Sequence, residues 1–116
     1  KRLGAAISRR LARSGWKVVI HYRGSASEAE ALAGEISALT IAADLVDAAA
    51  AEALPARASA LLAGPLDAVV NSASVFEYNT AATFAAEDFD RDIAVNLRAP
   101  AMIARAFAKS LSAGRS

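Results

Sequence analysis

Hydrophobic residues near the start of the chain recur with two different periods. Leu3, Ile7 and Leu11 lie four residues apart, which predicts an amphipathic helix over residues 3–14. The following run of β-branched and aromatic residues, 17–22, is too short for a helix and predicts a buried strand. The chain therefore starts with a helix that leads into a strand.

The same alternation continues to residue 70. Ser25 and Glu28 have the spacing of a capping box, in which each side chain satisfies a backbone donor of the other, and they predict a second helix that runs to Ile36. Residues 39–43 predict a second strand, and residues 66–70 predict a third.

Proline interrupts the helical pattern between the second and third strands. Asp47 is expected to cap an alanine-rich segment. Because proline has no N–H for a helix interior and suits a first turn, Pro55 predicts a short turn near residues 48–53 and a main helix only over residues 55–62.

The last part of the chain is predicted to be helical. After a loop that extends to about Thr83, apolar residues keep a helical period over residues 86–111, although Pro100 lies inside this segment. Residues 112–116 are expected to fray.

This order of elements predicts an α/β fold. Strands that alternate with helices imply right-handed crossovers and a parallel sheet covered on both faces. We therefore expect a Rossmann-like, doubly wound, three-layer α/β/α sheet, with residues 1–116 forming a single partial domain. Such folds bind ligands at the carboxyl ends of their strands. In this chain, polar residues are concentrated directly after each of the three predicted strands.

Composition excludes several classes of protein. Alanine supplies 32 of the 116 residues, so the hydrophobic fraction of 55% reflects small side chains, and no apolar run is long enough to cross a membrane. The 13 basic and 12 acidic side chains form no long block of one sign, which argues against a nucleic-acid partner. With no cysteine and one histidine, His21, neither a disulfide nor a Cys/His metal cluster can form. We expect a cytoplasmic protein with a small-molecule partner, no metal, and a structural role for His21.

Three short motifs at the predicted strand exits and at the chain start resemble those of one known family. They correspond to the end of a glycine-rich cofactor turn, an adenine-contacting pair and an Asn-Asn-Ala-Gly segment, and they stand here as Lys1-Arg2-Leu3-Gly4, Asp44-Leu45 and Asn71-Ser72-Ala73-Ser74. With Asn96 on the last helix, they resemble the short-chain dehydrogenases/reductases over essentially the whole chain. Arg2, where most members have a glycine, is typical of the pteridine reductases.

The resemblance implies an NADP-dependent oxidoreductase and assigns roles to these motifs. It places Arg2, Leu3 and Gly4 at the cofactor pyrophosphate and Asp44 with Leu45 at the adenine. It places Asn71 and Ala73 along the path from the adenosine to the nicotinamide ribose, with Ser74 as a hydroxyl partner to cofactor or substrate. Structural alternatives remain: an ordinary helix-start arginine for Arg2, a turn or cap for Asp44, an Asx turn for Asn71 and a solvated serine for Ser74.

The exit of the first strand carries the cofactor prediction on physical grounds. Arg23 lies 19 positions after Gly4, close to the spacing at which dinucleotide-binding folds choose between a ribose hydroxyl and a ribose phosphate. A guanidinium there can pair with a 2′-phosphate, and Ser25 adds a hydroxyl and a helix N-terminal amide. We therefore expect NADP(H) beside Tyr22, Arg23 and Ser25. The alternative is a solvated arginine after a strand.

Asn96 is the candidate catalytic residue. In a regular helix its carbonyl would accept the N–H of residue 100, but Pro100 has none, so the helix is expected to bend there. The resemblance implies a proton relay through a water held by this main-chain carbonyl. The alternative is that Pro100 ends one helix and begins another.

Phe76 and Ser74 are the candidate substrate residues. Phe76 matches the aromatic residue that stacks on the pterin ring in pteridine reductases, and stacking suits a flat heteroaromatic substrate. Reduction of a C=N or C=O bond, of a pteridine in particular, is the implied reaction. The alternative is a loop phenylalanine that is buried in the core.

The family pattern is incomplete in these 116 residues. Family catalysis uses a Tyr-x-x-x-Lys pair, whereas Tyr22 and Tyr78 are each followed four residues later by alanine. The first strand and the leading glycine are absent too, so we expect the internal first half of an enzyme that is inactive alone and forms homo-oligomers at full length. In this topology the absent strand lies between residues 17–22 and 66–70, which leaves two unpaired strand edges.

Two other functions are compatible with the same fold. A non-catalytic nucleotide-binding or interaction module would keep the fold without the chemistry. A phosphoacceptor receiver domain fits Asp44 at a strand end, but it needs an acidic pair after a first strand and gives no role to Arg23.

Overall fold

The computed structural model describes residues 2–71 and 85–114, without the side chains of Arg2 and of residues 112–114. The described elements are α1 (Arg2–Arg13), β1 (Val19–Tyr22), α2 (Ala26–Ile36), β2 (Leu39–Ala42), α3 (Ala48–Leu62), α4 (Ala86–Ile93), a π-helical turn (Ala94–Arg98) and α5 (Ala99–Gly114). They follow the predicted order from α1 to α3, and the strand predicted after α3 is absent from them. None of the described helices has the length and hydropathy needed to cross a lipid bilayer.

The two strands form a parallel pair, which confirms the predicted sheet type. Val19 lies opposite Leu39, and the register continues to Tyr22 opposite Ala42. Beyond the last pair, the N–H of Ala43 donates to the carbonyl of Tyr22 at 3.1 Å. Because the strands run in the same direction, the residues that follow them leave the sheet at one edge.

Residues 66–70 form no strand, so the third predicted strand is wrong for the described part of the chain. A β-strand needs a neighbouring strand with which to form hydrogen bonds. In the described residues β1 pairs with β2 alone, so residues 66–70 have no strand beside them. Leu66 and Val69 pack against the hydrophobic core instead, while Val70 stays 54% exposed. The two unpaired strand edges expected from the sequence are therefore not both present, because residues 66–70 form no strand.

Helix α1 also lacks part of the packing that its sequence predicts. Leu3, the first residue of the apolar stripe, is 67% exposed, and Ile7 and Leu11 are only partly buried. An amphipathic helix is stabilised mainly by burial of its apolar face. This helix therefore depends on its contact with α2 more than a fully covered helix would.

Helix α3 is continuous through Pro55, so the predicted break near residue 53 is wrong. The Asp47 carboxylate caps it as expected, accepting from the N–H of Ala49 at 2.9 Å and of Ala50 at 3.3 Å. Proline in a helix interior costs about 3 kcal/mol. Buried apolar residues on both sides of the proline, Ala51 and Ala58 among them, keep the segment helical because a break would expose them.

The helix after residue 85 is longer than predicted and contains one irregular turn. It continues without a break from Ala86 to Gly114, beyond the predicted end at residue 111. Immediately before Pro100 the hydrogen bonding changes to the π pattern, in which the N–H of Ala99 donates to the carbonyl of Ala94. Pro100 thus follows a π-helical turn within a continuous helix, and the alternative of a break between two helices is wrong.

The start of α2 differs in detail from its prediction. The helix begins after Ser25, as expected, but the Ser25 side chain makes no capping hydrogen bond. Its backbone lies at φ −101° and ψ 54°, outside the extended region that aims an N-cap oxygen at the first turn. The serine half of the predicted capping box is therefore not formed.

The core is built from α3, α5 and the end of β2. Ala51 on α3 and Ala99 on α5 are fully buried, and Leu54, Ile41 and Ile103 are buried around them. The small alanine side chains let the helices approach each other closely. The core thus uses the alanine-rich composition for contact between helices.

Two glycines provide a matched test of backbone conformation. Gly15 follows α1 at φ +91°, where an L side chain is strained, whereas Gly34 lies inside α2, and an added Cβ meets no atom within 4 Å at either site. We expect Gly15→Ala to lower the free energy of unfolding by about 1–2 kcal/mol. Gly34→Ala should raise it by about 0.5–1 kcal/mol. Urea unfolding measures both, and changes of the same sign would contradict the assignment.

An ion pair joins α1 to α2 and makes their contact dependent on pH. Arg9 Nε and Nη2 donate to the two carboxylate oxygens of Glu35 at 2.6 and 3.1 Å. The hydrogen bond from Arg9 lowers the pKa of Glu35, and the same bond raises the pKa of Arg9. Both side chains are about half exposed, so salt screens the pair.

Glu35→Gln tests this coupling. Because the folded pKa of Glu35 is lowered, the pair stabilises the protein above the ordinary carboxyl pKa and loses this effect as pH falls through the folded value. Urea unfolding should show the variant slightly less stable than the parent at neutral pH and equal to it in acid. Glu30→Gln, at an exposed position of the same helix, is the control. A difference that persists unchanged in acid would contradict the pairing.

Candidate functional site

The ends of β1 and β2 bring two of the predicted site residues into contact. Arg23 follows β1 and Asp44 follows β2, and Arg23 Nε lies 3.5 Å from Asp44 Oδ1. Their side chains are 61% and 51% exposed, so both are open to solvent. Tyr22, the last residue of β1, is partly buried beside them.

Asp44 stands at the start of a tight turn that leads into α3. Its Oδ1 accepts the N–H of Val46 at 3.1 Å, and its carbonyl accepts the N–H of Asp47 at 3.0 Å. Leu45 turns inward and is only 5% exposed, within the hydrophobic core. The turn thus presents the Asp44 carboxylate to solvent while Leu45 anchors it, and any ligand contact of Leu45 is limited to its backbone.

His21 fixes the start of this turn from the neighbouring strand. Its Nε2 lies 2.7 Å from the carbonyl oxygen of Ala43, and because a carbonyl only accepts, Nε2 carries the proton in this contact. The side chain is partly buried. The predicted structural role of His21 is confirmed: it satisfies a backbone acceptor at the edge of the sheet.

Arg98 holds the other end of the same turn. Its Nη2 donates to the carbonyl of Val46, across 52 positions of sequence. Arg98 closes the π-helical turn that contains Asn96, so this hydrogen bond ties the segment of the catalytic candidate to the turn of Asp44. Arg98 was not among the predicted site residues, because no local sequence pattern signals a contact over this separation.

The first turns of two helices belong to the same predicted site. Ser25 is the residue before α2 and is partly buried, next to Arg23 in the chain. Leu3 and Gly4 lie in the first turn of α1, where Leu3 is exposed, and Arg2 begins that helix. Helix N-termini carry a partial positive charge and attract anions.

The remaining candidates are separated from this group or lie outside the described residues. Asn71 is exposed at the end of the first described segment, and Asn96 is exposed within the π-helical turn. Ala73, Ser74 and Phe76 lie outside the described residues. The structure therefore brings Tyr22, Arg23 and Asp44 together directly, and it links Asn96 to them only through Arg98.

The chemistry of this group suits an anion and not a metal ion. Arg23 places a guanidinium in solvent beside the start of an 11-residue helix. Among residues 2–71 and 85–114, no cluster of His, Asp and Glu has the arrangement of a metal site. Asp44 opposes an anion by its charge but can accept a hydrogen bond from an amino group.

A shallow groove lies away from this group, between β2 and α3. Arg57 and Leu61 line it from the helix, with Thr40 and Ala42 on the strand. Arg57 Nη1 donates to the carbonyl of Ala42 at 2.9 Å and so covers part of the strand edge. None of the predicted site residues lines this groove.

Comparison with known proteins gives a consistent family match. The family described as short chain dehydrogenase matches residues 1–116. An uncharacterized oxidoreductase of Methylorubrum extorquens is 32% identical over 120 residues, which cover 100% of this chain and 48% of that protein. The chain thus spans about half the length of the curated relatives that it matches.

Solved structures show the same fold. A short chain dehydrogenase from Burkholderia cenocepacia in complex with NADP superposes with a TM-score of 0.86 at 33% identity, over 91% of this chain and 45% of that chain. A blue fluorescent protein from a metagenomic library in complex with NADPH superposes with a TM-score of 0.84 at 33% identity, over 92% and 46%. The predicted Rossmann-like fold class is confirmed for the part that this chain covers.

Proposed function

Because this chain belongs to the short-chain dehydrogenase family, we propose that it is the cofactor-binding half of an NADP(H)-dependent oxidoreductase. The observation that carries the proposal is Arg23, an exposed guanidinium at the end of β1 directly before the first turn of α2. The two solved structures described above contain NADP and NADPH, which supports the same cofactor here.

Arg23 fits the part of NADP that distinguishes it from NAD. The 2′-phosphate is dianionic, and a guanidinium offers it a planar set of donors. The N-terminal end of α2 adds amide donors and a favourable dipole, while Ser25 adds a hydroxyl. Tyr22 packs beside this position at the end of the same strand. We assign the ribose phosphate to these three residues.

The rest of the cofactor follows the edge of the sheet. Arg2, Leu3 and Gly4 at the start of α1 hold the pyrophosphate by helix amides and by the Arg2 charge. Asp44 accepts from the adenine amine, with Leu45 contributing its backbone. Asn71, Ala73 and Ser74 line the path to the nicotinamide ribose, an assignment that rests on sequence for the last two residues.

In this proposal Asn96 takes part in proton transfer by holding a water molecule. When bound, the nicotinamide supplies the hydride, and the residues of the chain hold it in place and organise water. Asn96 lies in the π-helical turn before Pro100, where the backbone departs from regular α-helical bonding. Such turns occur often at functional sites. The Asn96 main chain holds the water of the proton relay, and Arg98 fixes its helix against the turn of Asp44.

The substrate is a small molecule with a C=O or C=N bond. A pteridine is the substrate that Arg2 and Phe76 favour by their resemblance to pteridine reductases, with Ser74 as a hydroxyl partner. The assignment of this subgroup rests on sequence alone. The full-length protein acts as a homo-oligomer, and residues 1–116 alone bind cofactor without catalysing reduction.

Arg23→Ala tests the cofactor assignment in the full-length protein. We expect the Kd for NADPH to rise about 10- to 100-fold, because a charged hydrogen-bond donor to the phosphate is lost, while the Kd for NADH changes little. Fluorescence titration with both dinucleotides measures the ratio. Arg13→Ala, an exposed arginine at the opposite end of α1, is the control. Equal changes for NADPH and NADH would exclude a 2′-phosphate site at Arg23.

Pro100→Ala tests the π-helical turn. An alanine restores the backbone N–H that position 100 lacks, which favours regular α-helical bonding to residue 96 and removes the irregular turn. We expect kcat of the full-length enzyme to fall about 100-fold, on the scale of a lost proton-transfer group, with an unchanged Kd for NADPH. Single-turnover kinetics measures the step, and Ala101→Ser is the control on the same helix. Full activity of Pro100→Ala would contradict this role.

A further inference from the structure

We infer that Asp44 is a positioning residue for Arg23 and thereby contributes to the selectivity for a 2′-phosphate. The inference rests on the proposed NADP(H) site and adds a role that an adenine contact alone does not give to Asp44. It begins from the ion pair between Arg23 Nε and Asp44 Oδ1 at 3.5 Å.

An exposed arginine at a strand end is a poor phosphate ligand unless its side chain is restrained. Its long side chain samples many rotamers, and binding must remove this freedom. Arg23 is 61% exposed, and its one ion-pair partner in the described residues is Asp44. Within residues 2–71 and 85–114, Asp44 is the side chain placed to restrain Arg23.

Asp44 can provide such a restraint because its own position is fixed. The carboxylate already accepts the N–H of Val46, which orients it on the turn. Side chains from other elements also hold this turn at two points. His21 donates to the carbonyl of Ala43, and Arg98 donates to the carbonyl of Val46. Exposed ion pairs usually contribute little because two flexible side chains must be ordered. Here one partner is ordered before the pair forms.

The atom that Asp44 contacts decides what Arg23 can still do. Nε is the inner donor of the guanidinium, so the donors on both terminal nitrogens stay available for a phosphate. These donors form the planar fork that binds phosphate oxygens in pairs. The carboxylate also repels the phosphate, but more than half of each side chain is exposed and solvent weakens this repulsion. The carboxylate therefore favours phosphate binding by orienting Arg23 and opposes it by its negative charge. Two substitutions of Asp44 separate these effects.

The experiment compares Asp44→Ala and Asp44→Asn in the full-length protein, alone and combined with Arg23→Ala. Asparagine keeps an oxygen that can face Nε and accept from Val46, whereas alanine removes it. We expect Asp44→Ala to raise the Kd for NADPH about threefold to fivefold more than the Kd for NADH. Asp44→Asn should keep or improve the selectivity of the parent protein. In the Arg23→Ala background the orientation effect is gone, so Asp44→Ala should no longer raise the Kd for NADPH relative to the Kd for NADH.

Each other outcome is decisive. If Asp44→Ala weakens both dinucleotides equally, Asp44 is a turn or adenine residue only, and the inference fails while the proposed function stands. If Asp44→Ala improves NADPH binding, charge repulsion outweighs orientation and the inference also fails. If Arg23→Ala leaves the selectivity unchanged, the proposed function itself fails. Asp90→Ala, at an exposed position on α4, is the control for a lost surface carboxylate.

Discussion

The parallel pairing of β1 with β2 is the constraint on which the rest of the structure depends. Its register places Tyr22 opposite Ala42, so the residues that follow each strand leave the sheet side by side. Arg23 and Asp44 meet for this reason, although 21 positions separate them in sequence. A shift of one residue in either strand would turn the alternating side chains to opposite faces and separate the pair. The site is thus a direct product of strand register.

Around this edge, three side chains satisfy backbone groups of the turn after β2 and of the first turn of α3. His21 and Arg98 each donate to a carbonyl of the turn after β2, and the Asp47 carboxylate accepts from the first turn of α3. A backbone polar group near the core needs a partner. The turn therefore has a defined shape without belonging to a helix or strand, which suits a segment that faces a ligand.

The sequence predicts well those features that depend on local pattern. The alternation of helices and strands from α1 to α3, the Asp47 cap and an irregular turn before Pro100 all follow from neighbouring residues, and the structure contains each of them. Features that depend on distant partners were missed. Residues 66–70 have the composition of a strand but no neighbour to pair with, and Pro55 stays inside a helix because packing outweighs its local preference. The contact of Arg98 with Val46 could not be predicted from local sequence, because the two residues are remote from each other in the chain.

The contact between α3 and α5 through Ala51 and Ala99 has a mechanical consequence. Both side chains are fully buried, so the smallest chiral side chain sets the spacing of the two helix axes. The fully buried Ala99 is the residue directly after the π-helical turn, and α3 begins directly after the turn of Asp44. Any bulkier residue at either alanine would push the two helices apart, and the resulting tilt would displace both the turn of Asp44 and the π-helical turn. The size of these two side chains therefore affects the relative placement of the two turns as well as the stability of the core.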